Sequence, residues 1–284
     1  MSKVYKNKSN FGHYLAGLWE GDGNVSIKNK TYPKPTLQIT FHKSQLPLAE
    51  KLLSVLESYC NAKVGSIFKH KSRQAIYLNI SSIEGLKLFV TLTHHKLRGP
   101  KVADLNNVKD YLNIKHKTNF SKAHQAKSAL TNNAWLAGFI DADGSFALRQ
   151  TLPTKAQKQL TECAFILVQR RSHPKSGLSY DEVFRKFALT FNVKIHLVKR
   201  SLGKEQLQLK LSSALSKAKL RHYLETYPLL TSKRLDFQLW CRVDDLMKVK
   251  QHYTASGVPE IQTIKQGFNT KRTWFNWAHL ESMF

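Results

Sequence analysis

The chain writes one nine-residue pattern twice, as LAGLWEGDG at Leu15–Gly23 and as LAGFIDADG at Leu136–Gly144. Each copy opens on small and apolar residues and closes on acids beside glycines. A unit repeated this closely must form the same local structure twice, and its apolar stripe is best buried against its own copy. Ala16, Gly17, Ala137 and Gly138 are small enough to let two helices approach closely. Leu15, Leu18, Leu136 and Phe139 supply the apolar contact.

The segments after the two copies are alike in kind. NVSIK after Gly23 and SFALR after Gly144 alternate as strands do, and TLQITFH (36–42) and AFILVQR (164–170) read as second strands. Leu37, Ile39 and Phe41 share one face of the first of these. Amphipathic helices are predicted over 46–59 and 179–191. Two further strands come next in each half, KVGSIFKHK with QAIYLNIS, and VKIHLVKR with EQLQLKLS. In the last of these Leu207, Leu209 and Leu211 point inward. Closing helices are expected over 83–93 and 215–226.

The fold class is therefore α+β: two αββαββα half-domains, each an antiparallel sheet with helices on one face. The boundaries read as 1–114 for the first half, a polar, basic linker over 115–131, and 132–284 for the second. Trp274, Phe275, Trp277 and Leu280 suggest a packing helix at the C-terminus.

Helix formers precede each glycine pair, so each motif helix is expected to end at Gly23 or Gly144 in the left-handed conformation. Asp22 and Asp143 then fall at helix C-termini, where the macrodipole and the last carbonyls already concentrate negative charge. Two such ends side by side make sense around a divalent cation, since hard oxygen ligands suit Mg²⁺.

Composition points to the partner. The 45 Lys+Arg against 19 Asp+Glu give a net charge of +26, which a polyanion relieves, and nucleic acid is the leading candidate. No apolar run approaches the roughly 20 residues of a spanning helix, so no membrane role is expected. Three scattered cysteines, with no CxxC, argue against a disulfide framework or zinc site. The basic N-terminus lacks the apolar run of a secretory signal. HExxH, Walker and GxGxxG patterns are absent from the sequence.

With both motifs and both half-domain layouts in order, the chain resembles the LAGLIDADG homing endonucleases in their single-chain, two-repeat form. The second motif departs from the family's name sequence only at Phe139; the first departs at Trp19, Glu20 and Gly21 and keeps its final Asp-Gly. The resemblance implies a pseudo-twofold monomer whose sheets form a saddle over double-stranded DNA, with the helices on the outer face. It implies a metal-dependent endonuclease making a double-strand break with short 3′ overhangs in a long target. Mg²⁺ is the expected cofactor, with Ca²⁺ binding without cleavage and Mn²⁺ substituting. It further implies an intron-encoded, organellar gene. Host intron RNA is the alternative partner, because some family members are RNA maturases; a DNA-binding protein without catalysis is another alternative.

Carried over residue by residue, Asp22 and Asp143 would bind metal, assisted by the carbonyls of Gly21 and Ala142. Glu20 and Asp141 either touch a metal-bound water or have a structural role. Lys101 in LRGPKVADL and Lys233 in LLTSKRLDF are the catalytic lysine candidates, each three residues before an Asp. Gln169 matches a position that orders solvent, and its counterpart Phe41 departs from the pattern.

Base readout is expected from outward strand residues. In the first half these are Ser26, Lys28, Gln38, Thr40, His42, Arg73, Tyr77 and Asn79. In the second they are Arg149, Arg170, Lys194, His196, Gln206, Gln208 and Lys210. The two sets differ, so an asymmetric target is expected.

Overall fold

A computed structural model describes residues 3–27, 33–156 and 158–284. Its first half runs α1 (Lys8–Asp22), β1 (Gly23–Ile27), β2 (Pro35–His42), α2 (Leu46–Cys60), β3 (Gly65–Lys69), β4 (Ala75–Ile80), α3 (Ile83–Thr93) and α4 (Val102–His116). The second repeats the order as α5 (Trp135–Asp143), β5 (Gly144–Thr151), β6 (Leu160–Arg170), α6 (Asp181–Phe191), β7 (Ile195–Lys199), β8 (Glu205–Leu211), α7 (Ala214–Thr226) and α8 (Lys233–Lys248). Each half holds one antiparallel four-stranded sheet, ordered β1-β2-β4-β3 and β5-β6-β8-β7.

Each half thus carries one helix more than the αββαββα pattern predicts. The stripes that bury α4 and α8 are narrow and interrupted by charge. On α4, Leu105, Val108 and Leu112 face inward beside the equally buried Asp104 and Lys109. The C-terminus also differs from expectation. The helices there are α9 (Gly257–Gln266) and a short α10 (His279–Met283); Trp274–Trp277 lies between them without helix, and Trp274 is exposed.

The two motif helices, α1 and α5, pack directly on each other in one core that is continuous through both halves. Asn7 starts α1 by accepting the backbone N–H groups of Ser9 and Asn10. A Cβ on Gly17 would collide with the Trp135 carbonyl, and one on Gly138 with the Tyr14 carbonyl. Glycine is thus required at both positions because the two backbones touch, which sets the helix separation.

Both motif helices pass straight into a strand. Gly23 (φ −91°, ψ 159°) and Gly144 (φ −74°, ψ 151°) are extended, which corrects the expected left-handed ends. Their lack of a side chain serves packing instead. A Cβ on Gly23 would strike Trp19, and one on Gly144 would come within 2.9 Å of Ile140 and Phe165.

The residues between the halves lie against α4. Asn106 exchanges hydrogen bonds with the Ala123 backbone, and Asn113 does so with Phe120. Among the described residues no helix is long and apolar enough to cross a membrane.

Candidate active site

Because α1 and α5 pack through their glycines, their C-termini end side by side, and so do Asp22 and Asp143. The carboxylate of Asp143 lies so near α1 that a Cβ on Gly21 would come within 2.9 Å of its Oδ2. Desolvation in this crowded cleft, and then the charge of Asp22, push the Asp143 carboxyl up to about 6. Desolvation also raises Asp22, which Lys233 and Lys101 pull the other way.

The first acid of each motif turns inward and is buried. Glu20 accepts the backbone N–H groups of Arg98 (2.7 Å) and Gly99 (2.5 Å) and the indole N–H of Trp135 (2.6 Å). Asp141 is its counterpart: it accepts the N–H groups of Leu230 (2.7 Å) and Thr231 (3.3 Å), the Tyr14 hydroxyl (2.8 Å) and the Thr231 hydroxyl. Each acid therefore holds the turn that starts the following helix, α4 or α8. Each is also satisfied by the aromatic residue preceding Leu-Ala-Gly on the opposite motif. Tyr14 and Trp135 were not among the predicted site residues; their signal is an aromatic at the same offset in both copies.

Those two turns deliver the lysines. Lys101 sends its ammonium to the carbonyls of Trp19 (3.1 Å), Gly21 (2.8 Å) and Gly23 (2.5 Å). Lys233 does the same to Ile140 (3.1 Å), Asp141 (2.8 Å) and Ala142 (2.8 Å). An ammonium has three donors, and each finds three acceptors among the carbonyls at the end of a motif helix. Burial pushes both lysines down, opposed by the surrounding carboxylates.

Asp104 and Asp236, three residues beyond the lysines, point elsewhere. Asp104 meets His173 of the second half (3.5 Å), and Asp236 binds Arg272 (2.5 Å) and the Asn269 N–H (2.9 Å). A cleft of about 240 Å³ beside the site is lined by Gly21, Asn24, Lys101, Gln169, Arg170 and His173 among others.

Gln169 lies on the core face of β6, paired with Leu207, and donates its Nε2–H to Asp143 Oδ2 at 2.8 Å. The Arg170 N–H fixes the other end of that amide. Phe41 holds the equivalent place on β2, two residues past the strand partner of the motif glycine, and is buried.

The donor set suits a hard cation. Two carboxylates lie at the adjoining helix ends that also carry the Gly21 and Ala142 carbonyls, and among the described residues no cluster of three or more His, Cys, Asp or Glu competes. Both carbonyls already accept a lysine proton, so a cation would share them through their remaining lone pairs.

The outward residues are placed on the sheet faces turned away from the helices. Ser26, Gln38, Thr40, His42, Tyr77 and Asn79 share that face in the first half by register, and Gln38 hydrogen-bonds Asn79 across the strands (2.9 Å). Arg73 lies exposed in the β3–β4 turn. Lys28 lies outside the described residues. Arg149, Arg170, His196, Gln206, Gln208 and Lys210 share the corresponding face of the second half, with Lys194 exposed just before β7. Lys210 pairs with Glu162 there, and Arg200 binds Gln206 at 2.8 Å. Asn24, Ser66 and Ser145, short polar residues outside the predicted set, share these faces too.

Comparison with known proteins bears on the same residues. A family profile described as LAGLIDADG endonuclease matches residues 15–112 and 136–243, one motif in each. An intron-encoded DNA endonuclease aI3 of Saccharomyces cerevisiae is 26% identical over 323 aligned positions, covering all of this chain and 76% of that protein. A cox1 intron-2 protein of Schizosaccharomyces pombe is 27% identical over 262, covering 90% and 72%. The crystal structure of the I-SmaMI LAGLIDADG homing endonuclease bound to cleaved DNA superposes with a TM-score of 0.72 at 19% identity, covering 92% of this chain and 97% of that one.

Proposed function

The chain belongs to the LAGLIDADG endonuclease family, and from that premise we propose that it is a site-specific, metal-dependent DNA endonuclease. It acts as a monomer, cuts both strands of a long asymmetric duplex and leaves short 3′ overhangs. The observation that carries this reading is the placement of Asp22 and Asp143 side by side at the ends of packed helices, between two sheets in a chain of charge +26. Paired, partly desolvated carboxylates at helix C-termini weaken a protein that only binds DNA, and they suit one that holds a cation against a phosphate.

Asp22 and Asp143 would hold Mg²⁺, with the carbonyls of Gly21 and Ala142 beside it. When bound, the cation supplies Lewis-acid stabilisation of charge at the scissile phosphates. Lys101 and Lys233 keep positive charge at the two helix ends, next to where that charge develops. Gln169 holds the Asp143 carboxylate in one orientation. The sheet faces set register on the duplex, and their different side chains in the two halves favour an asymmetric target. The relatives named for introns support an intron-encoded gene, and the cox1 intron supports an organellar one.

Selection of cleaved sites from a randomised duplex pool with Mg²⁺ tests the reading. The wild type is expected to yield one asymmetric site, bound with a steep salt dependence. Asp22→Asn and Asp143→Asn are each expected to abolish double-strand cleavage while retaining binding. Absence of any cleaved site, or full cleavage by the double variant, overturns it.

A further inference from the structure

We propose that a second DNA-gripping site, apart from the sheet faces and the acidic cleft, lies where the C-terminal tail crosses onto the first half, and that it holds one strand of the target duplex by its phosphates and sugars. The inference rests on the endonuclease reading above and deepens it.

It starts from charge. Between Ser58 and Ile83 the sequence holds no acid, and the β3–β4 turn within that stretch carries Lys69, Lys71 and Arg73, all exposed. Lys43, at the junction of β2 and α2, stands beside them, its backbone N–H donating to the Gln74 carbonyl (2.9 Å). Among the described residues none of these four cations pairs with a carboxylate. The turn that carries them has a fixed shape, because His70 Nδ1 accepts the backbone N–H groups of Ser72 and Arg73 (both 3.1 Å). Cations held in place without a counter-ion are completed by phosphate. The matching flank of the second half differs: Arg171 is already paired with Asp181 (3.1 Å) and Glu205 (2.8 Å).

The second half supplies aromatic surface at the same place. A pocket of about 620 Å³ is lined by Lys43, Lys69, His70, Lys71 and Arg73, and by Phe275 of the tail. The tail is anchored on both sides of that point. Before it, Asp236 of α8 binds Arg272 and the Asn269 N–H; after it, Glu281 pairs with Lys51 of α2 (3.0 Å). Between the anchors Trp274 is 65% exposed, whereas Trp19, Trp135 and Trp240 are buried. A tryptophan held at the surface beside free cations fits a partner that offers both negative charge and flat apolar edges, as a sugar-phosphate backbone does.

The pocket opens beside the outward sheet face, since the His70 ring lies 5.9 Å from that of Tyr77, which is on that face. A duplex on the first sheet therefore brings one strand past the turn. Lys43, Lys69 and Lys71 take its phosphates, Phe275 closes the pocket, and Trp274 packs on a neighbouring sugar. Of these residues and Arg73, the sequence pattern marked Arg73 alone for DNA. Both halves of the chain thus grip the same arm of the target.

The test is binding in Ca²⁺, over a range of salt, of the selected target and of a duplex of random sequence. Changing Lys69→Gln and Lys71→Gln together is expected to lower the slope of log affinity against log salt by about 2 for both duplexes. Trp274→Ala is expected to weaken binding roughly fivefold with little change of slope. Thermal unfolding is expected to be unchanged in both variants, since all three side chains are exposed. Neutral methylphosphonates placed singly along the target locate the contact. The wild type is expected to lose affinity at neighbouring positions of one strand on the first-half arm, and the double variant to be insensitive there. Wild-type slope and affinity in both variants overturn the inference, and so do sensitive positions that persist in the double variant. Weakened binding of structured RNA with unchanged binding of DNA also overturns it. Absence of any cleaved target overturns the endonuclease reading alone, and the random duplex then still decides whether the pocket grips DNA.

Discussion

The indole N–H of Trp135 donates to the carboxylate of Glu20 at 2.6 Å, joining the start of one motif helix to the end of the other. Glu20 has no solvent exposure, and its other two donors are the backbone N–H groups of Arg98 and Gly99. Glu20→Ala leaves three buried donors without an acceptor and is expected to cost about 3 kcal/mol or more. Trp135→Phe removes one donor and part of a buried ring that packs on Phe139, and is expected to cost about 2 kcal/mol. Urea unfolding midpoints check both. If Glu20→Ala shifts stability no more than Trp135→Phe, Glu20 is not the anchor of the Lys101 turn.

Helix contact through glycine makes a second, sharper demand. A Cβ at position 17 meets the Trp135 carbonyl and a backbone nitrogen of Phe139 at 2.8 Å, and backbone cannot rotate aside as a side chain can. Gly17→Ala is therefore expected to cost at least about 2 kcal/mol, despite alanine's better helix propensity. The symmetric change Gly138→Ala meets Tyr14 and Leu18 in the same way. Thermal denaturation of both variants is the check, and a neutral result for either would mean the helices can slide apart.

Stability should also fall in mild acid, through His94. Its Nδ1 is 2.5 Å from Lys109 Nζ, which sits buried on α4. Burial, then Lys109, His95 and Lys96, push His94 down to about 4 from an ordinary 6.5. A depressed value means the unfolded chain binds the proton more readily. The stabilising contribution is full above pH 6.5 and is lost as pH falls toward 4. The ring is partly solvated, so the loss at this site should be only about 1 kcal/mol, well short of the full linkage. Unfolding curves between pH 7 and 4.5 should slope more for the wild type than for His94→Asn. Parallel slopes would remove His94 as the source.

Much of this architecture is legible in the sequence because the repeat is read twice. The alternation of Leu207, Leu209 and Leu211 and the small residues of the motifs lead directly to buried faces and a close helix pair. Lys101 and Lys233 stand out through their shared offset to an aspartate, although those aspartates turn out to bind His173 and Arg272. Chemistry that depends on distant backbone stays hidden in the sequence. The donors to Glu20 include N–H groups on another turn of the chain, and no side-chain pattern marks them. The glycine ends mislead for a related reason: a helix that runs directly into a strand needs no left-handed residue, and the glycines are there for Trp19 and Phe165.

The lysines carry the last prediction. Each ammonium is saturated by three carbonyls at a motif helix end, a trigonal set of acceptors that a planar guanidinium cannot reproduce. Lys233→Met removes both the charge beside Asp143 and the donors to Ile140, Asp141 and Ala142. Single-turnover cleavage with Mg²⁺ is expected to fall by about 10² to 10³, the scale for loss of one preorganised electrostatic group. Affinity in Ca²⁺ is expected to change by less than about threefold, since one buried cation among many surface ones contributes little to phosphate neutralisation. Lys233→Arg should rescue little of the rate, and Lys101→Met should behave like Lys233→Met. Cleavage by Lys233→Met at the wild-type rate would make the lysine a structural cap alone; a matching loss of rate and affinity would make it an ordinary phosphate contact.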